Sequence, residues 1–252
     1  DGHTYVAEAI AQGAAGVVVA AGRAALPGDR PAVVIEVPDT LRALQLMGRA
    51  MRRQSGARVV AITGSAGKTT TKEVTAAFLS LRYRVFRNRG NLNNHIGLPL
   101  SLLELGHGGA LPEVAVLELG MSAPGEIRTL VALAEPEVRI WTNVAEAHLA
   151  SFADIDGIAD AKAEILEDAR PTDLLVANAG DARVMSRAAR FGGRVLTFGV
   201  EHPADVSATR VESRGVHGIA ADVQTPGGRV RLETPLVGKG NLAHVLAALT
   251  VG

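Results

Sequence analysis

The chain has 252 residues, 47% of them hydrophobic and 21% charged, enough to bury one large core or one core with a smaller satellite. Lys plus Arg and Asp plus Glu each total 26, so no bulk field favours nucleic acid or an anionic membrane, and any phosphate site must be built locally. Zero cysteines exclude disulfides, thiolate metal sites and a cysteine nucleophile. No apolar run approaches the roughly 20 residues that a bilayer span needs, and no basic segment followed by an apolar stretch opens the chain. A cytoplasmic monomer is expected.

Tyr5 to Ile10 reads as an apolar helix, and Val17-Val18-Val19 and Val33-Val34-Ile35 read as short buried strands with a Pro/Gly turn around Pro27-Gly28 between them. Asp39 or Thr40 is placed to cap a helix running to about Gln54, in which Leu41, Leu44, Met47 and Met51 recur at three-to-four spacing before Ser55-Gly56 ends it. A domain boundary is expected there, with a partial N-terminal domain over 1–55 and a central domain over 56–252. The opening Asp1-Gly2-His3 and the stop at Val251-Gly252, just after an Ala/Leu-rich stretch, both read as mid-domain, so a piece of a longer chain is expected.

From Arg58 the pattern becomes strand, loop, helix, repeated: Val59 to Ile62, a Gly-rich turn, a helix from Lys68 to about Leu81, then strands near Val114 to Leu117, Val138 to Trp141 and Leu174 to Ala177. Short apolar runs separated by helical segments predict an α/β fold with a parallel sheet covered by helices on both faces. Between Val206 and Leu236, apolar residues alternate with polar ones around a Gly227-Gly228 turn, which predicts an antiparallel patch.

The stretch Val59-Val60-Ala61-Ile62-Thr63-Gly64-Ser65-Ala66-Gly67-Lys68-Thr69-Thr70 is a strand leading through glycines into a helix. Glycines let backbone N–H groups close around phosphate oxygens, and the helix N-terminus adds partial positive charge. Lys68 is placed to reach the outer phosphates and the Thr69 hydroxyl to bind Mg²⁺. The usual spacing G-x-x-x-x-G-K-[ST] asks for glycine at position 62, where this chain has Ile62. The plainer reading makes Gly64 and Gly67 a strand-to-helix turn and Lys68 a solvated first-turn residue.

The shorter spacing, Thr63-Gly64-Ser65-Ala66-Gly67-Lys68-Thr69-Thr70, resembles the phosphate loop of the Mur ligases. Four more segments extend the resemblance in family order: Gly90-Asn91-Leu92-Asn93-Asn94-His95-Ile96-Gly97-Leu98-Pro99, Glu118-Leu119-Gly120-Met121, Thr142-Asn143-Val144-Ala145-Glu146-Ala147-His148-Leu149 and Ala161-Lys162-Ala163-Glu164-Ile165. The Asn-Asn-x-Ile-Gly-x-Pro and Glu-Leu-Gly segments resemble the type that adds D-Ala-D-Ala to UDP-MurNAc-tripeptide in peptidoglycan precursor synthesis. Asp1-Gly2-His3 with Ala9, Gly13 and Ala14 resembles the later part of that family's UDP-binding domain. The family's C-terminal, amine-binding domain has no counterpart in these residues.

The resemblance implies a P-loop-type ATPase core, ATP and two Mg²⁺ ions as cofactors, and activation of a carboxylate as an acyl phosphate. Gly64, Ser65, Ala66, Gly67, Lys68, Thr69 and Thr70 would cradle the nucleotide, joined by Asn143. Glu118, at a strand end where α/β sheets present ligand-binding groups, would hold the first metal beside Thr69. Its plainer reading is a helix-capping or ion-paired carboxylate. His148 and a carbamylated Lys162 would serve the second metal; otherwise His148 is a structural histidine and Lys162 an exposed, i,i+4-paired helix residue. Lys68, Glu118, His148 and Lys162 form the expected catalytic set. Asn91, Asn93 and Asn94 offer uncharged donors and acceptors suited to orienting substrate, or simply populate a turn-rich loop. Gly238-Lys239-Gly240-Asn241-Leu242-Ala243-His244 resembles the family's adenine segment, with Gly240 in place of a His and His244 in place of the second Asn, so Asn241 alone carries that contact over. Two other readings stay open: a nucleotide-binding or regulatory module that makes no amide bond, and a related folylpolyglutamate-type ligase.

Overall fold

The computed structural model describes residues 1–23, 32–107, 109–146 and 151–252. The expected Pro27-Gly28 turn and His148 lie outside the described residues.

A small unit comes first: helix α1 (Val6–Ala11) and strands β1 (Gly16–Ala20) and β2 (Val33–Val37), which pair in parallel. These strands are not buried as the sequence predicts. Val18, Val33 and Ile35 are 40%, 63% and 53% exposed, because a two-stranded sheet has too few neighbours to cover both faces. Helix α2 (Thr40–Ser55) follows, its N-terminus capped by Asp39, whose side chain accepts from the Arg42 amide at 3.0 Å.

The inner face of α2 also differs from the periodic reading. Leu41 and Met47 are exposed, while Gln45, Gly48, Arg52 and Ser55 are buried. A side chain on Gly48 would come within 2.9 Å of the Pro99 Cα, so the helix docks along a face of small and polar groups. Gln45 Nε2 donates to the His95 carbonyl at 3.2 Å.

The large sheet then assembles from β3 (Arg58–Thr63), β4 (Val85–Arg87), β5 (Val114–Glu118), β6 (Val138–Trp141), β7 (Leu174–Asn178), β8 (Arg194–Val200), β9 (Val206–Ser213), β10 (Ile219–Thr225) and β11 (Gly228–Thr234). Its order is β11-β10-β9-β8-β7-β6-β3-β5-β4. The strands from β4 across to β9 pair in parallel, and β9, β10 and β11 form an antiparallel meander. The antiparallel segment is therefore no separate patch: Phe198, Gly199 and Val200 of β8 pair with Val206, Ser207 and Ala208 of β9 and carry the sheet on.

Helices cover both faces. Val59 and Ala61 of β3 face one cluster with Leu98 and Leu102 of α4 (Gly97–Leu103), Ile127 and Leu130 of α5 (Glu126–Ala134), Ile158 of α6 (Ile155–Ala163) and Val184 of α7 (Ala182–Ala188). Val60 and Ile62 face the other with Ala76 of α3 (Lys68–Leu79) and Leu242 and Leu246 of α8 (Lys239–Leu249). A strand covered on both faces has no polar side to show, which is why β3 reads as a continuous apolar run. Each of these leucines and isoleucines, fully buried, contributes about 1.5–3 kcal/mol relative to exposure. Helix α3 stops at Leu79, short of the expected Leu81, and α6 spans Ile155–Ala163 with a 3-10 turn over Glu164–Leu166.

The chain runs from β3 out to β4, back to β5 and then past β3 to β6, so connections on the two sides of β3 run in opposite directions. The crevice at the carboxyl end of β3 is a topological switch point, where open α/β sheets hold ligands.

Candidate nucleotide and metal site

The loop leaving β3 is shaped by its glycines and by its neighbour across the crevice. A Cβ on Gly64 would lie 1.9 Å from Thr142 Oγ1. Gly67, with φ +76°, is the N-cap of α3 in the left-handed region that a side chain disfavours. Asn143, just past β6, clamps the loop: its carbonyl accepts from the Ser65 amide at 3.1 Å, its Oδ1 accepts from the Ala66 amide at 2.9 Å, and its Nδ2 donates to the Ala66 carbonyl at 3.0 Å. Thr142 Oγ1 donates to the same carbonyl at 3.0 Å. Ser65 Oγ donates to the Ala145 carbonyl and accepts from the Ala145 amide, both at 2.9 Å. The first-turn amides of α3 are thus presented as a rigid N-terminus, with its partial positive charge, at the mouth of the crevice.

Lys68 Nζ folds back to donate to the Gly64 carbonyl at 2.8 Å. Burial holds its pKa below the ordinary lysine range, and the Glu118 carboxylate opposes that shift. Thr70 is half-buried beside it.

Glu118 closes β5 and is 4% exposed. Its Oε2 accepts from Thr69 Oγ1 and its Oε1 from Asn93 Nδ2, both at 2.8 Å. It makes no ion pair among the described residues, and it caps no helix. Asn93 is itself fixed, because its carbonyl accepts from the Gly120 amide at 2.8 Å and a Cβ on Gly120 would press on its side chain. Lys68, Asn93, Asn94, His95, Glu118, Gly120, Met121, Ser122 and Glu126 line a cleft of about 340 Å³.

Lys162 is 2% exposed, not solvated. Its pKa is pushed down to about 7, first by burial and then by the neighbouring charge of Lys68. Among the described residues its Nζ has no hydrogen-bond or ion-pair partner.

Not every expected residue joins this cluster. Asn91 is exposed and does not line the cleft. Asn94 reaches the cleft, but its Oδ1 accepts from the Ile96 and Gly97 amides at 3.1 and 2.8 Å and starts α4. Asn241 sits in the first turn of α8 and donates to the Val237 carbonyl at 2.8 Å. His244 is buried against Gly67.

Asn88 was not singled out from the sequence. It is 1% exposed. Its Oδ1 accepts from the Glu118 amide at 2.9 Å and its Nδ2 donates to the Leu92 carbonyl at 2.9 Å, joining the two segments that meet at the Glu118 carboxylate. The buried Lys72 of α3 donates to the Asn88 carbonyl at 2.8 Å. Asp181 accepts from the Val144 amide at 2.7 Å and steadies the loop after Asn143.

The donor set suits magnesium. A threonine hydroxyl and a buried carboxylate without a cationic ion-pair partner converge at a helix N-terminus, and hard oxygen donors are what this ion takes. Such an ion is commonly bound by one or two carboxylates and completed by substrate phosphates and water.

Residues 62–252 match the family model for the Mur ligase middle domain. The chain is 35% identical to the UDP-N-acetylmuramoyl-tripeptide–D-alanyl-D-alanine ligase of Bacillus subtilis over all of its own length and 53% of that protein's. The crystal structure of MurF from Acinetobacter baumannii superposes with a TM-score of 0.89 at 33% identity, covering 100% of this chain and 53% of that one. MurF ligase from Thermotoga maritima, solved with ADP, gives 0.86 at 30%, covering 100% and 56%. The chain spans about half the length of the relatives it matches. With a Gly-rich strand-to-helix loop, a Glu118–Thr69 pair and the middle-domain match over three quarters of its residues, the chain belongs to the Mur ligase family.

Proposed function

We propose that the chain is the ATP-binding core of a cytoplasmic ligase that joins D-Ala-D-Ala to UDP-MurNAc-tripeptide through an acyl phosphate, in peptidoglycan precursor synthesis. In this reading residues 1–55 are part of a UDP-substrate domain and 56–252 the ATP-binding domain. The observation that carries it is the meeting of Lys68, Thr69, Asn93 and Glu118 beside one cleft at the switch point of the sheet.

The first-turn amides of α3 and the loop Gly64 to Thr70 take the phosphates, and Lys68 exchanges the Gly64 carbonyl for an outer phosphate oxygen. Asn143 keeps the loop open, and Asn241 contributes to the nucleotide site. Thr69 and Glu118 hold one magnesium; His148 and Lys162 serve a second. Magnesium, when bound, screens the phosphates from the approaching carboxylate. Asn93 orients Glu118 while it and Asn94, with Asn91 at the loop's outer end, guide the peptide. A carboxylate oxygen of the tripeptide then forms a bond to the γ-phosphorus as the bond to the β-bridging oxygen breaks, releasing ADP. The dipeptide amine next forms a bond to the acyl carbon, phosphate leaves, and the nitrogen gives up a proton. Lys68 stands where negative charge gathers in the first step.

Lys162 contributes as a carbamate: its neutral Nζ forms a bond to the carbon of CO₂ with loss of one proton, which turns an amine into an anionic oxygen donor. Burial lowers the pKa of this amine to about 7, so a substantial fraction is neutral and nucleophilic at neutral pH, which supports this.

Isothermal titration of Mg-ATP tests the site: Lys68→Ala should weaken binding by at least about a hundredfold, on the order of 2.8 kcal/mol. Adding UDP-MurNAc-tripeptide and hydroxylamine should then trap the acyl phosphate with release of ADP. Tight ATP binding without tripeptide-dependent ADP release would assign a nucleotide-binding module instead, and unchanged affinity in Lys68→Ala would remove the phosphate loop.

A further inference from the structure

His244 lies far from the phosphate loop in sequence, yet its ring is packed onto the loop's last residue. An ideal Cβ on Gly67 would sit 1.9 Å from both Cε1 and Nε2 of this imidazole and 2.7 Å from Nδ1. The side chain is fixed from behind. Leu242, Leu246 and Ala247 of α8 are all 0% exposed in the core that also takes Ala76 of α3, and His244 is itself 8% exposed. Its Nδ1 is buried without a hydrogen-bond partner among the described residues. Burial lowers the pKa of the ring, so it stays neutral.

Gly67 caps α3 in the left-handed region, and its carbonyl accepts from the amide and the hydroxyl of Thr71 at 2.9 and 2.8 Å. The imidazole packs on its Cα, on the side where a Cβ would point. Nδ1 is sealed in the core, and Cε1 and Nε2 are the ring atoms nearest Gly67. We infer that His244 is a positioning residue for the triphosphate: it wedges Gly67 so that the first-turn amides of α3 converge on phosphate. This rests on the reading that the loop binds a triphosphate.

The test uses the chain as it stands, titrated with Mg-ATP, Mg-GTP and inorganic tripolyphosphate with magnesium, each well below the thermal midpoint of the variant. His244→Ala should weaken ATP and tripolyphosphate by the same factor, about tenfold, and leave the ATP-to-GTP ratio unchanged. His244→Ser, which keeps a polar group but shortens it, should do the same and stands in if the alanine variant does not fold. Gly67→Ala should abolish binding in the parent chain, because the new methyl meets the ring. Combined with His244→Ala it should regain affinity to within about tenfold of His244→Ala alone, the signature of direct coupling. Weaker ATP binding with unchanged tripolyphosphate binding would make His244 a base contact and overturn the inference. So would unchanged affinities, or a double variant no better than Gly67→Ala. Failure of the parent chain to bind tripolyphosphate or ATP would instead strike the phosphate-loop reading itself.

Discussion

A lysine that is 2% exposed, beside the charge of Lys68, binds a proton less readily in the folded chain than in the unfolded one. For Lys162 the folded value is about 7 against an ordinary 10.5. Between those values the unfolded chain holds a proton that the folded chain has released, so stability rises with pH across that window and this contribution is flat below it. In CO₂-free buffer the urea midpoint of the parent chain should therefore climb from about pH 7 to 10 relative to that of Lys162→Met. Parallel pH profiles for the two proteins would show that Lys162 is not a buried, depressed amine. Asn88 makes the second prediction at this scale. Asn88→Ala strips a buried acceptor from the Glu118 amide and a donor from the Leu92 carbonyl, and should cost about 2–3 kcal/mol by denaturant unfolding. A loss indistinguishable from that of an exposed Asn→Ala change would deny it the bridging role.

Among the elements, α2 shows where sequence reading succeeds and where it stops. Its cap at Asp39 and its end before Gly56 are local signals and are legible. Its docking face is not, because Gly48 and Arg52 gain their meaning only from Pro99 and the end of α5. Arg52 Nε donates to the Ala134 carbonyl and Nη2 to the Glu135 carbonyl, both at 2.7 Å, so a guanidinium from one element closes the C-terminus of another. Nη2 also meets Glu137 Oε1 at 3.0 Å. Arg52→Leu should cost about 2–4 kcal/mol, because it leaves those two carbonyls without their donor and takes a guanidinium from Glu137, which keeps Arg170 and the Val59 amide. Arg53→Ala, which removes an exposed guanidinium from Glu135, should leave the denaturation midpoint unchanged. Equal effects of the two would mean that the pairing counts only as surface charge. The site divides in the same way. The loop from Gly64 to Thr70 is continuous in sequence and readable from its spacing, as is Glu118 from its strand end. Asn88 and Asp181 reach the loops across 30 or more residues, and no local pattern in a Gly/Asn-rich or Arg-rich stretch marks them.

Across the molecule, the alternation of strand and helix forecast the parallel sheet, but not its continuation into the meander. That continuation depends on the short pairing of β8 with β9, a contact between whole elements rather than a pattern within one. It has a thermodynamic consequence. Val206, Ala208, Ile219, Ala221 and Val223 of β9 and β10 share one buried cluster with Val60 and Ile62 of β3 and with Leu242 and Leu246 of α8. The strand that leads into the phosphate loop and the far meander therefore bury the same apolar surface, and the sheet should unfold as a single cooperative unit. The lone tryptophan, Trp141, is 0% exposed at the end of β6, next to the loop clamp at Thr142 and Asn143, while far-UV circular dichroism averages over all strands. A nucleotide at a hundred times its dissociation constant stabilises the folded state by about 2.7 kcal/mol, which for a domain of this size raises the thermal midpoint by about 5–10 °C. With Mg-ATP, tryptophan fluorescence and circular dichroism should shift together by that amount in one transition. If fluorescence moved alone, with a second unshifted transition in circular dichroism, the meander would be an independent unit and the shared core would not couple it to the nucleotide site.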